Sequence, residues 1–312
     1  MRVLVTGGAG FIGSHLVDAL MQKGCEVRVA DNLFSGKLEN LAHHGKSVEF
    51  CEGDVSDLGF CKQVCIGVDR VWHLAAVGSV PRSVNDPLTS HAANLTGTLN
   101  MLIAARDAGA RRFVYSSSSS VYGANPQLPR EETQHPMPVS PYANTKMAAE
   151  TYVRQFAWLY GLETVVLRYF NIYGPRQDPN SQYAAVVPRF ISALLKGERP
   201  VVYGDGEQSR EFTYVADCVR CTLAAAFVEG EGILGEHFNV AAGSPVTVNR
   251  LLQTVQTVMG TNISATYEPP RAGDVKYSDA KIDKAVERLG FKPKWMLEDG
   301  IRATAEWFSS NL

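Results

Sequence analysis

Short apolar runs alternate with segments of helical periodicity over the first half of the chain. RVLVT (2–6), EVRVAD (26–31), SVEFCEGD (47–54), DRVWHLAA (69–76), RRFVYSS (111–117) and ETVVLRYF (163–170) read as strands rich in Val and aromatic residues. Between them, residues 11–24, 88–108 and 142–160 carry helical spacing. Apolar strands alternating with helices predict a parallel sheet covered on both faces, and right-handed crossovers make it a doubly wound, Rossmann-type α/β fold. After Asn171 the rhythm loosens. Helices are predicted near 187–196, 215–228, 247–259, 279–289 and 298–309, and strands near 201–203, 237–240 and 263–267. The reading is a first domain over 1–170 and a smaller C-terminal α/β region over 171–312, some segments of which return to the first domain.

Composition narrows the partners. The 312 residues are 45% hydrophobic and 20% charged, enough to bury a large core. A net charge of −2 leaves no electrostatic footprint for nucleic acid or an anionic membrane, so a small molecule is the expected ligand. The N-terminal apolar stretches are short and broken by glycine, and no later apolar run reaches the length of a membrane span. The cysteines Cys25, Cys51, Cys61, Cys65, Cys218 and Cys221 have no framework spacing, and Cys218-x-x-Cys221 lacks a second pair. They read as buried thiols in a reduced, cytoplasmic protein, and no metal set is expected.

The first strand runs into TGGAGFIG, where Gly7, Gly10 and Gly13 precede a helix. Glycines there let backbone approach a pyrophosphate, and the helix N-terminus supplies N–H donors and a positive dipole end. Asp31 ends the second strand; a carboxylate there accepts ribose hydroxyls and repels a 2′-phosphate, which favours NAD over NADP. Asp54, after the third strand, is expected at the adenine. In SPYANTKMAAE, Tyr142 and Lys146 stand at i, i+4 near the start of a helix, on one face. An ammonium beside the phenol lowers its pKa, so Tyr142 is expected to act as a base near neutral pH.

With TGGAGFIG, Asp31, Asp54, HLAA, the serine run VYSSSSSVYG (114–123) and YxxxK in hand, the whole chain resembles the extended short-chain dehydrogenase/reductase family. The resemblance implies a tightly held NAD and a nucleotide-sugar substrate. It sets Phe11, Ile12, Asn32, Val55, Leu74, Ala75 and Ala76 beside the cofactor together with Tyr142 and Lys146. Ser118 matches the family's Ser/Thr that hydrogen-bonds the reacting hydroxyl; Ser116, Ser117 and Ser119 read as structural or supporting. The family's 4,6-dehydratases carry Asp-Glu where Ser119 and Ser120 stand, and its UDP-glucuronate decarboxylases carry Glu at the Ser120 position. Without those acids, epimerisation at C4 is the implied reaction.

On the substrate side, the resemblance implies that Asn171 meets the diphosphate and that Ser120, Val187 and Tyr203 also face the nucleotide sugar. Arg210 and Arg271 suit a diphosphate because planar guanidinium pairs phosphate oxygens, and Asp274 suits ribose hydroxyls. Where epimerases restricted to UDP-glucose and UDP-galactose carry Tyr, this chain has Ser278, which leaves room for an N-acetyl group. The segments 75–87 and 176–188 are similar to bacterial UDP-N-acetylglucosamine 4-epimerases, which implies Gly78, Ser79 and Ala185 in the sugar pocket. Two alternatives stand beside this reading: a UDP-glucuronate 4-epimerase with Arg82 clamping the carboxylate, and a non-catalytic NAD-binding regulator. Leu99, Leu102, Ile103, Phe156 and Trp158 on two predicted helices match the family's homodimer bundle, and read equally as core stripes.

Overall fold

The computed structural model describes residues 1–179, 185–270 and 276–311. Among these, seven strands form one parallel sheet: β1 (Arg2–Thr6), β2 (Glu26–Asp31), β3 (Val48–Glu52), β4 (Arg70–His73), β5 (Arg112–Ser118), β6 (Glu163–Tyr169) and the strand Glu236–Val240. Their spatial order is Glu236–Val240, β6, β5, β4, β1, β2, β3. The predicted doubly wound fold is the observed one, and the late strand Glu236–Val240 closes the sheet by pairing in parallel with β6.

Alternation along the strands builds two cores. Val3 and Val5 of β1, Val29 of β2 and Val165 of β6 face α1 (Phe11–Gln22) and the helix Val215–Phe227. Leu4, Val71, Phe113 and Val166 face the opposite layer, made by α2 (Leu58–Cys65), α5 (Gly97–Asp107) and α6 (Pro141–Tyr160). Cys218 and Cys221 are buried in the first layer as free thiols, and burial pushes Cys218 up to about 12. No helix among the described residues is long and apolar enough to cross a membrane.

The single helix predicted over 88–108 is broken. Short α3 (Val80–Asn85) and α4 (Pro87–His91) precede a π-turn at Ala92–Thr96, and α5 follows. The extra residue of the π-turn carries Asn94 inward, where its Oδ1 accepts the Val77 N–H at 2.7 Å and its Nδ2 reaches Thr145 Oγ1 at 3.2 Å. A π-turn shifts the helical register by one residue, which periodicity does not reveal. Near 279–289 the helix begins only at Asp283, because Ala280 is drawn into a bridge with Arg130 and donates its N–H to Glu211 at 3.3 Å. The strand predicted at 263–267 lies at Thr266–Glu268, in parallel register with Val201–Tyr203.

Beyond the carboxyl edge of the large sheet, pairs of residues make small ladders. Ile172–Tyr173 pairs with Thr213–Tyr214. Ser209–Arg210 lies between Val246–Thr247 and Tyr277–Ser278, with Ser278 opposite Arg210. Such short strands have no period to read and form only because the rest of the fold brings them together.

Candidate active site

The loop after β1 is held close to its neighbours. Gly7 adopts φ +69°, and a Cβ there would stand 2.8 Å from the Ala75 nitrogen; one on Gly13 would collide with the Gly7 carbonyl oxygen. Gly10 caps α1 without a side-chain hydrogen bond, and no acidic residue occupies the first turn. The helix N-terminus therefore offers N–H groups and a positive dipole end to an anion. Around it runs a groove at the carboxyl edge of β1, β2 and β4. Gly7, Gly10, Phe11, Ile12 and Gly13 line it, with Asp31, Asn32, Asp54, Val55, Leu74, Ala75 and Ala76.

Asp31 is buried, and its two oxygens accept the N–H groups of Ala9 at 3.0 Å and Leu33 at 2.9 Å. Burial raises its pKa and those hydrogen bonds oppose the rise. Asn32 donates to Asp54 at 2.7 Å, tying the ends of β2 and β3 together. Phe34, Ser35, Val77 and Ala93 also line the groove and were not singled out from the sequence. The π-turn brings Ala93 there, so no periodic signal pointed to it. Gly78, expected at the sugar, lies on the wall of this groove. The Ser79 hydroxyl serves as the N-cap of α3, accepting the Arg82 N–H at 3.2 Å.

The serine run lies at the carboxyl end of β5, where Ser118 pairs in register with Tyr169 of β6. The next four residues turn as a short 3₁₀ segment, so the run is a strand end and not a linker. Ser118 Oγ lies 3.1 Å from Ser120 Oγ and accepts the Ser120 N–H at 3.2 Å. Ser117 points away, donating to Glu150, which pairs with Arg168 at 2.7 Å in the interior.

α6 begins beside this strand end. Ser140 caps it by accepting the Ala143 N–H at 3.2 Å, and Pro141 occupies the first turn. Tyr142 donates its backbone N–H to Ser83 of α3 at 3.0 Å. Lys146, one turn on, is buried and donates from Nζ to the Ser116 carbonyl at 2.8 Å. Ser116 lines the groove, so Lys146 reaches it through that carbonyl, although neither Lys146 nor Tyr142 is among its lining residues.

The electrostatics differ from the sequence expectation. Burial is the dominant influence on Tyr142 and raises its phenol pKa, against a lowering hydrogen bond with Ser118; Lys146 is not among the groups that lower it. Burial also pulls Lys146 down to about 7, against the attraction of Glu150. Desolvation disfavours each charged form, and the Lys146 ammonium is directed at a carbonyl oxygen. Behind them, His73 sits between Thr6 Oγ1 at 2.7 Å and Thr98 Oγ1 at 3.1 Å, and burial brings it down to about 3.

A second cleft opens beyond β6. Asn171, Ala185, Val187, Tyr203 and Arg210 line it, together with Arg189, Gln208, Phe190 and Phe212, which the sequence did not single out. Asn171, at φ +37°, donates its side chain to the Glu211 carbonyl at 2.8 Å. Arg210 Nη1 reaches the carbonyls of Ser209 at 2.8 Å and Lys276 at 3.1 Å. The Arg189 guanidinium stands 5.4 Å from the Tyr203 ring centre. Buried Glu211, pushed up to about 7 by burial, accepts the N–H groups of Ser244 at 3.1 Å and Ala280 at 3.3 Å, and so joins three segments beneath Arg210. Ser278 is beside Arg210 in the ladder but is not among the cleft's lining residues. Arg271 and Asp274 lie outside the described residues.

Residues 3–241 match the model of the NAD dependent epimerase/dehydratase family. A UDP-glucose 4-epimerase from Mycolicibacterium smegmatis is 39% identical over 312 residues, covering 99% of this chain and 98% of the relative. Among solved structures, a UDP-N-acetylglucosamine 4-epimerase from Methanobrevibacter ruminantium, in complex with UDP-N-acetylmuramic acid, superposes with a TM-score of 0.95 at 42% identity, covering 100% of this chain and 99% of the other. A UDP-glucose 4-epimerase from Thermotoga maritima, with UDP-glucose, gives 0.94 at 41% identity, with the same coverage.

Proposed function

The chain belongs to the NAD dependent epimerase/dehydratase family, and from that premise we propose that it interconverts UDP-hexoses differing in configuration at C4, through a transient 4-keto sugar, with UDP-N-acetylglucosamine and UDP-N-acetylgalactosamine as its principal pair. The observation that carries the reading is the grouping of Tyr142 with Ser118, and of Lys146 with the carbonyl of Ser116, which lines the groove, with serines at 119 and 120. Hydroxyls there are poor acids and bases, so elimination and decarboxylation lack a proton donor or acceptor.

Bound NAD supplies the hydride acceptor and donor at C4. Tyr142 takes the 4-hydroxyl proton and returns it, and Ser118 hydrogen-bonds the same oxygen. Lys146, whose Nζ donates to the Ser116 carbonyl at the groove, would hold the cofactor ribose, and the Ser118 hydrogen bond opposes the burial that raises the Tyr142 phenol. Asn171 and Arg210 hold the diphosphate while the keto sugar turns. Residues 1–170 act on the cofactor and 171–312 on the nucleotide sugar, with Glu236–Val240 returned to the sheet. The uronate alternative would need Arg82, whose guanidinium stands 5.0 Å from the Phe34 ring centre.

A homodimer through α5 and α6 completes the proposal. Leu102 belongs to the core and Trp158 lies elsewhere against Arg154, but Phe156, itself packed in the core, lines an outward groove on these two helices with Leu99, Ile103, Tyr152, Leu159 and Tyr160.

The test is NMR analysis of products after incubation with UDP-N-acetylglucosamine and, in parallel, UDP-glucose, without added reductant. UDP-N-acetylgalactosamine is the expected product. Conversion of UDP-glucose alone would retain the chemistry and overturn the acetylated substrate; conversion of neither would overturn the proposal for both hexoses.

A further inference from the structure

Outside the groove and the cleft, three potential metal ligands converge on one point. Asp18 lies on α1, and His43 and His44 lie on the 3₁₀ segment Leu38–Ser47. Asp18 Oδ1 is 2.8 Å from His43 Nε2 and 2.7 Å from His44 Nε2, and the rings stand 4.0 Å apart between centres. One ligand atom from each side chain lies within 4.8 Å of the others. The second carboxylate oxygen is engaged elsewhere, pairing with Arg176 at 2.9 Å. Asp18 and His44 are mostly covered, at 21% and 13% side-chain exposure, whereas His43 is 48% exposed.

We propose that Asp18, His43 and His44 form a divalent transition-metal site of zinc type, in which two imidazole nitrogens and one carboxylate oxygen leave a fourth position to water. This donor set suits Zn²⁺, which takes His nitrogen at about 2.0–2.1 Å in tetrahedral geometry. Tetrahedral ligands at that radius stand roughly 3.3 Å apart, so the cluster must open by about half an ångström. Half-exposed His43 stands outside the core and has room to turn. Arg176 acts in two directions. Its hydrogen bond to Oδ2 turns Oδ1 toward the imidazoles, as second partners of metal-bound carboxylates do. Its charge opposes a cation nearby, so affinity in the micromolar range is expected, well below that of a closed structural site.

Such a metal would fasten Leu38–Ser47 to α1. That segment already leans on the phosphate loop, since Lys37 and Asn40 donate to the Ala9 carbonyl at 3.0 and 2.9 Å. Bound Zn²⁺ therefore protects residues 38–47 against hydrogen exchange.

The experiment is calorimetric titration of the full-length protein with Zn²⁺, with Co²⁺ absorption as a report on coordination. One equivalent of Zn²⁺ per chain is expected, together with Co²⁺ bands of four-coordinate intensity. His43→Ala weakens binding at least about tenfold, and the pair His43→Ala/His44→Ala abolishes it. His43 is half exposed, so its variant keeps the fold, which circular dichroism checks. Unchanged affinity in His43→Ala, or no binding by the parent protein, overturns the site.

Discussion

The groove and the cleft are built by opposite means. The groove centres on backbone packed against backbone, at the turn Gly7–Gly13 against Ala75, with the strand ends at Asp31 and Asp54 and the run Leu74–Ala76 around it. The cleft gathers polar and charged residues from distant segments: Asn171 after β6, Arg189 on the helix Val186–Leu195, and Arg210 in a two-residue strand. A backbone surface is sensitive to what an added atom displaces, whereas a side-chain surface is sensitive to which group is missing. The Tyr142–Lys146 pair is tied to the first region, and Ser118 stands at the strand end that leads toward the second.

Tyr142→Phe gives the largest effect. Loss of a general acid–base group lowers turnover by about 10²–10⁴-fold, while cofactor and nucleotide-sugar binding persist because the ring is kept. Steady-state kinetics with binding titrations measures both; activity within a few-fold of the parent would break the assignment of the proton to Tyr142.

A pair of variants tests the contrast itself. Gly13→Ala forces a Cβ onto the Gly7 carbonyl, and crowding of this kind costs about 1–3 kcal/mol. Retained NAD and melting temperature fall together. Arg210→Ala leaves the groove intact and removes charged hydrogen bonds of about 1.5–3 kcal/mol, so KM for the nucleotide sugar rises roughly 10- to 100-fold with NAD content unchanged. If Arg210→Ala lost NAD as Gly13→Ala does, the two regions would not be separable.

The smallest effect concerns pH. His73 is held neutral, with a folded value of about 3 against 6.5 when unfolded. Below pH 6.5 the unfolded chain binds a proton at His73 that the folded chain refuses, so stability falls as pH drops from 6.5 toward 3. This one group removes about 2 kcal/mol between pH 7 and pH 5. Urea unfolding of the parent and His73→Asn at both values checks it: the variant has the shallower dependence, and equal slopes would place the acid sensitivity in other groups.

Legibility follows the same division. TGGAGFIG, Asp31 and YxxxK were readable because each states a local backbone or one-turn requirement that a handful of neighbouring residues satisfies. Arg189 and Gln208 were not, because each stands among ordinary surface chemistry until the fold turns it into the cleft. Ser278 occupied the middle ground: its position relative to family pattern drew attention, and its ladder partner Arg210 emerged only from the pairing.

Sequence by itself determined the order of the first six strands of the sheet, the glycine cradle and the i, i+4 spacing of Tyr142 and Lys146, since these depend on interactions a few residues apart. Tertiary structure alone decided the inward turn of Asn94, the direction of the Lys146 ammonium toward Ser116, and the three segments joined through Glu211. Those outcomes depend on desolvation and on partners far apart in the chain, and both exist only once the layers have packed.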